Sequence, residues 1–356
     1  MLVIKEKNPI TKNKRNYTNK PEIRFENIMK LLKNEINFKI VENTHLIDLE
    51  TLKNLKVHNP LMLEFLSECY KSYNIHQQKN PNDNTFGDLI NGIIPYNITN
   101  KKIDDEIIKK IPYFQQIGIW SSDIITPIFS NTFEQAITSA SNCWIVPEYI
   151  LQGYNRIYCA NINPGHHASY DRYAGYCYLN NGSICAKSML YNNELKYNKI
   201  AILDLDYHAG DGTEEIFKYD DNVLTISIHI NPLYDYPFYS SFDTTSNSIN
   251  NHCYNFTFEP KCSIGIYLEL IEKSMNLIKE FNPDSIVIAF GGDTYKNDLD
   301  ALEQNRTNLD IDDYKTIGKK INTIWNSTKP IIITQEGGYN MDNIGMIVKS
   351  FLSGFE

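Results

Sequence analysis

The sequence predicts an α/β protein with a mostly parallel sheet, covered by helices on both faces. Three observations carry that reading. From Gly118 onward, short β-rich runs alternate with amphipathic helical stretches, as βαβ units require. Neither an internal repeat nor a Gly/Ser- or Pro-rich linker divides the 356 residues, so 1–356 reads as one domain. Four of the β-rich runs end in a polar or titratable cluster beside a glycine. In open α/β sheets, the carboxyl ends of the strands are where ligands bind.

The elements follow in order. Residues 21–35 read as a helix, with Pro21 suited to its first turn and Ile23, Ile28, Leu31 and Leu32 at helical spacing. A second helix is predicted over 59–73. Residues 80–99 are polar and broken by Pro81, Gly87, Gly92 and Pro95. They read as a long loop, part of an insertion around 80–115; loops this long are usually functional or disordered. Further helices are predicted over 132–150, 182–191, 264–281, 310–325 (capped by Asp310 or Asp312) and 343–352. Strands are predicted over 156–162, 200–205, 223–230, 285–290 and 331–334.

Composition narrows the class. The chain is 42% hydrophobic and 12% aromatic, enough for a sizeable core and against wholesale disorder. A net charge of −9 leaves no general footprint for nucleic acid, whose binders carry a basic face. An acidic surface instead attracts cationic ligands. The seven cysteines are odd in number, widely spaced and free of any CxxC pair, which suggests neither a disulfide framework nor a cysteine metal site. The N-terminal stretch lacks the apolar run of a signal peptide, and no run nears the roughly 18 apolar residues of a membrane span. The expectation is a soluble, reduced, cytoplasmic protein without membrane or nucleic-acid partners.

The chemistry is concentrated at the strand ends. Residues 201–213 read AILDLDYHAGDGT: an apolar strand running into Asp204, Asp206, His208 and Asp211. Charged side chains are rarely buried unless they are paired or hold a metal. In an extended chain, residues i and i+2 face the same way, so Asp206 and His208 can address one point, with Asp204 one pleat back. Asp293, after Gly291-Gly292, can add a third oxygen ligand and leave positions open for water and substrate. His166 and His167 follow a Pro-Gly turn; imidazoles titrate near neutrality and suit acid/base work beside a metal. Each needs a carboxylate to orient it, and Asp204 and Asp211 are spare. Tyr339, after Gly337-Gly338, can donate to a developing oxyanion. Taken singly, an Asp-x-His pair is more often a solvated strand end, Asp293 a turn residue and Tyr339 a surface side chain. Together these clusters are hard to explain by packing.

The segments PGHHA (164–168), GYCYLNN (175–181), DLDYHAGDGTEEIF (204–217), GGDT (291–294) and EGGY (336–339) resemble the zinc-dependent histone deacetylase superfamily, in order and spacing over most of the chain. KPEIRF (20–25), TPI (126–128) and SIHINPLYDYPFY (227–239) make it most similar to the acetylpolyamine amidohydrolases within that superfamily. The resemblance implies an arginase/deacetylase-type three-layer α/β/α fold with the active site at the C-terminal strand ends. It implies one catalytic zinc, or iron(II) in its place, on Asp206, His208 and Asp293. His167 would act as general base and then acid, with His166 as a positively biased partner and Tyr339 hydrogen-bonding the acetamide oxygen. Asp204 and Asp211 would orient the two histidines. Gly175 and Tyr176 would line a narrow substrate tunnel. A structural potassium ion would sit on Asp204, Asp206, His208, Ser227 and Ile228. The substrate implied is a small cationic acetylated amine, and the inserted loop implies a homodimer that closes the tunnel mouth.

Two departures accompany the match. Ile162 and Asn163 stand where the family often has arginine and proline, and 244–251 is Ser/Thr/Asn-rich where a glycine-rich stretch is expected. Two rival readings stay open: a lysine deacetylase acting on histone-like proteins, and a binding protein that has lost catalysis. A two-metal, arginase-like centre would need a second set of Asp/His ligands, which the strand ends do not supply.

Overall fold

The structure is a computed structural model and describes residues 1–6, 20–243 and 252–356. The stretch 244–251 lies outside them. Eight strands form the main sheet: β1 (Leu2–Glu6), β2 (Lys39–Asn43), β3 (Arg156–Cys159), β4 (Ile200–Asp204), β5 (Val223–Ile230), β6 (Cys253–Phe258), β7 (Ser285–Phe290) and β8 (Ile331–Gln335). Their spatial order is β2-β1-β3-β8-β7-β4-β5-β6, and every neighbouring pair runs parallel.

Alternation along the central strands sorts their side chains into two layers. Ala201, Leu203, Ile286, Ile288, Ile331 and Ile333 join one core cluster with residues of the helices Pro21–Leu32, Ile264–Phe281, Ile311–Trp325 and Ile344–Ser353. Ile200, Ile202, Val287 and Ile332 face the other way, against Cys143, Val146, Cys185 and Met189. Those four lie on the helices Thr132–Trp144, Val146–Leu151 and Asn181–Tyr191. A sheet buried on both faces between helices is the three-layer α/β/α arrangement. Truncating one of these buried isoleucines to alanine costs about 2–5 kcal/mol, because transfer and cavity terms add.

Several elements differ from expectation. The helix predicted over 132–150 is two helices that break at Ile145. Pro147 lacks the N–H that would bond four residues back and clashes with that turn. The helix starting at Pro60 runs to Lys79 rather than stopping at Tyr73. There His76 Nε2 and Asp83 Oδ2 lie 2.7 Å apart, and the Tyr73 hydroxyl donates to the Gly87 carbonyl at 2.7 Å. Segment 80–116 is not featureless: Gly87–Asp88 and Gly92–Ile93 form a small antiparallel pair. Asp105–Ile108 and Tyr113–Gln116 are short helices. β1, β2, β6 and the helix Asp211–Phe217 have no counterpart among the sequence expectations. β1 is too short and too charged at its end to show a period, although all five residues are buried.

Candidate active site

β3, β8, β7 and β4 are adjacent, and their ends are level: Cys159 pairs with Thr334, Thr334 with Ala289, and Ala289 with Asp204. The chain leaving each of these four neighbouring ends carries a site residue. Asp206 and His208 follow Asp204, Asp293 follows Ala289, Tyr339 follows Thr334, and His166 and His167 follow Cys159. The register of the sheet therefore gathers onto one rim side chains that the sequence separates by up to 173 residues (Tyr339 less His166).

Asp206, His208 and Asp293 each offer one ligand atom, and those atoms lie within 4.8 Å of one another, all three residues being buried. The His208 ring turns Nδ1 toward both carboxylates, 3.4 Å from Asp206 Oδ1 and 3.6 Å from Asp293 Oδ2. Backbone donors fix the rest. Asp206 Oδ2 accepts from Gly337 N at 2.9 Å, and Asp293 Oδ1 accepts from Tyr207 N at 3.0 Å. Asp293 Oδ2 is buried without a hydrogen-bond partner. A side chain at position 337 would put its Cβ 2.2 Å from that atom and 2.7 Å from Asp206 Oδ2, so only glycine lets both carboxylates close in.

Their charges are strongly coupled. Burial and the neighbouring Asp206 push Asp293 up to about 8. Asp206 is held well below the usual carboxylate range, because His166 and His208 outweigh its burial. His208 is raised well above its ordinary value against the effect of burial, by Asp206 and Asp293. Two buried carboxylates, one with an orphaned oxygen, and an imidazole nitrogen aimed between them form a donor set suited to a divalent cation. The residues fit the single-metal site that the resemblance implied.

The paired histidines lie alongside. His166 Nδ1 is 3.0 Å from Asp204 Oδ2, and His167 Nδ1 is 2.7 Å from Asp211 Oδ1. Each Nδ1–H is thereby occupied, so the Nε2 atoms face the reaction space. The two imidazoles differ in charge. Burial lowers both, but Asp204 and Asp206 overturn that for His166 and raise it to about 10. His167 is lowered, by burial and by the charge on His166. Glu336 supports this turn from below, accepting from Gly165 N at 2.5 Å and His166 N at 3.2 Å.

Gly175, packed against the His167 ring, and Tyr176 continue the cavity wall. Gly175 has φ +54°, and a Cβ there would fall 2.2 Å from the His167 ring. Asp123 Oδ2 accepts from Gly175 N at 2.7 Å, and Thr126 Oγ1 from Tyr176 N at 3.0 Å. The Tyr176 ring meets the Tyr339 ring at 6.0 Å between centroids. Burial, with Asp300 next, raises Tyr339 well above the ordinary phenol range, which keeps its hydroxyl protonated. A cavity of about 220 Å³ connects these groups to the surface.

The structure thus brings together His166, His167, Tyr339, Asp206, His208, Asp293, Asp204, Asp211, Gly175 and Tyr176. Ser227 pairs with Asp204 across β4 and β5, with Ile228 next in β5. Ser227 Oγ accepts from Gly210 N at 3.2 Å and lies 2.7 Å from His229 Nδ1. Sequence reasoning did not reach four neighbours of the site. Asp235 and Asp300 line the cavity. Asp298 Oδ2 accepts from Tyr339 N at 2.7 Å. Arg24, fully buried, stands 5.6 Å from the Tyr339 ring and donates to the Ile162 carbonyl at 3.0 Å. The i, i+2 pair Asp298/Asp300 was the available signal, since it repeats the spacing of Asp206/His208 after another strand.

Comparison with known proteins agrees with this geometry. The histone deacetylase domain matches residues 19–355, and the chain belongs to that family, a class of metal-dependent deacetylases. Within it, the chain is similar to acetylpolyamine amidohydrolases. Acetylpolyamine amidohydrolase 1 of Pseudomonas aeruginosa is 29% identical over 304 residues, 85% of this chain and 82% of that protein. Acetylpolyamine amidohydrolase 2 of the same organism is 32% identical over 244 residues, 68% of each. The crystal structure of an acetylpolyamine aminohydrolase from Burkholderia pseudomallei superposes with a TM-score of 0.81 at 23% identity, over all of this chain and 98% of that one, and shows the same fold.

Proposed function

We propose that the protein is a zinc-dependent amidohydrolase that removes the acetyl group from acetylated polyamines or similar small cationic amines. The observation that carries the chemistry is the buried Asp206–His208–Asp293 set lying against two carboxylate-held histidines. The substrate reading is supported by the relatives named above and by Asp235 at the cavity, whose carboxylate favours cations.

Zinc held by Asp206, His208 and Asp293 would polarise the acetyl carbonyl and make water a nucleophile near neutral pH. The remaining work falls to this chain's own groups. His167, neutral and fixed by Asp211, takes the proton from the attacking water at Nε2 and then delivers it to the leaving amine. His166 stays charged against Asp204 and biases the site positively where the carbonyl oxygen gains charge. Tyr339 keeps its proton and donates a hydrogen bond to that oxygen. Gly175 and Tyr176 confine the alkyl chain.

The finer expectations belong to the same proposal. A potassium ion would sit on Asp204, Asp206, His208, Ser227 and Ile228; the level pairing of Asp204 with Ser227 supports it. Residues 1–356 act as one catalytic domain. Within it, the insertion around 80–115 builds a homodimer and narrows the mouth, supported by the exposed Ile90, Tyr96 and Ile107. A cytoplasmic location fits the seven free, buried cysteines. No helix of the described residues is long and apolar enough to cross a membrane.

Turnover of acetylputrescine and acetylspermidine against an acetyl-lysine peptide tests the reading. Substantially higher kcat/KM on the small amines is expected. Activity on the peptide alone would establish a protein deacetylase instead, and zinc-loaded protein inert on every acetylated amine would establish a binding protein.

A further inference from the structure

The histidine of the proposed metal set has a second neighbour that its role does not account for. Nδ1 of His208 faces Asp206 and Asp293, so a metal between those carboxylates takes Nδ1 and leaves the ring proton on Nε2. Nε2 in turn points at Asp300, whose Oδ2 lies 3.9 Å away. The Asp300 side chain is 17% exposed, against 8% for His208, so the pair sits at the wall of the cavity rather than in bulk solvent.

The loop after β7 is built to present this carboxylate. Asp298 turns inward, where Oδ2 accepts from Tyr339 N and from Asn340 N at 2.7 and 2.9 Å. Its Oδ1 accepts from Asp300 N at 3.0 Å, which fixes the backbone two residues on. Asp300 is thereby directed to the same cavity as His208. At 3.9 Å the contact is electrostatic; a small side-chain rotation or one bridging water makes it a hydrogen bond.

We propose that Asp300 is a positioning residue of the metal centre: it holds the His208 proton on Nε2, so that the lone pair of Nδ1 is presented to the metal. The inference rests on the metal-centre reading above. Metal-ligating histidines generally donate their other N–H to a carboxylate, carbonyl or water, and removing that partner typically weakens metal binding ten- to hundredfold. The competing role for a carboxylate at this wall is direct contact with the cationic substrate. That role would leave metal affinity alone and raise KM.

The experiment measures Zn²⁺ affinity of the full chain by competition with a chromophoric chelator, and the visible spectrum of the Co²⁺ form. Parent, Asp300→Ala and Asp300→Asn proteins are compared, with Asp206→Asn as control. Zinc binding about tenfold to a hundredfold weaker in Asp300→Ala is expected, with a changed Co²⁺ spectrum and an unchanged melting temperature of the metal-free protein. Asp300→Asn, which keeps an acceptor oxygen without the charge, should lose less, and it serves alone if the alanine variant does not fold. Zinc affinity within twofold of the parent in both variants, with a raised KM for the acetylated amine, overturns the inference and assigns Asp300 to the substrate. Parent protein whose zinc binding is indifferent to Asp206→Asn overturns the metal-centre reading itself, which separates the two failures.

Discussion

His167 and Asp211 are joined by a 2.7 Å contact between Nδ1 and Oδ1, and the aspartate is the first residue of the helix Asp211–Phe217. The segment after β4 that supplies Asp206 and His208 thus leads directly into the element that orients the proposed base. Asp211→Asn should lower kcat about 10–100-fold by loosening the ring. His167→Ala should lower it about 10²–10⁴-fold. KM for the acetylated amine should change little in either. Steady-state kinetics on folded protein check both, and an unaffected kcat in His167→Ala removes the imidazole from the mechanism.

Tyr339 places a protonated phenol on the same cavity as that imidazole. Tyr339→Phe keeps the ring packed against Tyr176 and deletes only the donor. The expected result is a loss of about 10²–10³ in kcat with melting temperature unchanged, as when one oxyanion donor is removed. A loss confined to KM would instead assign the hydroxyl to substrate binding.

Gly175 is held at φ +54° with the His167 ring 2.2 Å from where a Cβ would sit. Gly175→Ala therefore forces strain, about 1–3 kcal/mol, and displaces the ring. Reduced kcat together with a lowered melting temperature is expected; a silent substitution would mean that the wall is not packed as described.

Metal removal should be visible in stability, since a ligand that binds only the folded state stabilises it by mass action. Zinc at 100 times its Kd contributes about 2.7 kcal/mol. Chelator-treated protein should melt lower and recover on adding zinc, whereas Asp293→Ala should show no zinc-dependent shift. Calorimetry distinguishes these outcomes.

Acid should act through His58, which burial lowers to about 4. Its ring is fully used, with Nε2 accepting from Asn180 N and Nδ1 at 2.8 Å from the Ser169 carbonyl. The unfolded chain protonates first, near 6.5, so the stability from neutral His58 is present above that pH and is lost as pH falls toward 4. The loss amounts to roughly 3 kcal/mol. Glu6 works in the opposite sense, since burial raises it to about 7 and favours the folded form as pH falls through that value. The difference between parent and His58→Gln isolates the histidine: denaturant titrations should show parent losing ground between pH 7 and 4, and a pH-independent difference contradicts the assignment.

Much of this arrangement was legible in the chain. Strands β5 and β7 and the helix Ile264–Phe281 have the bounds that residue pattern alone suggests, because each is long and bounded by turn residues. β1 was not, being five residues that end in Lys5 and Glu6; its burial depends on β2 and β3 on either side. Asp206 and His208 do meet as the sequence suggested, but β4 ends at Asp204 and a bend brings them together, His208 N donating to Asp206 Oδ1 at 3.0 Å, where strand alternation had been expected.

Register decided the rest. That Asp293 arrives beside Asp206, and Tyr339 at the same cavity as His167, follows from level ends on four adjacent strands, a non-local pairing that no spacing along the chain encodes. The sequence offered two imidazoles and two carboxylates; packing assigned Asp204 to His166 and Asp211 to His167. Asp300 carried only the weak signal of its spacing from Asp298. Its significance is its distance from His208 Nε2, and that distance exists only once β4 and β7 lie side by side.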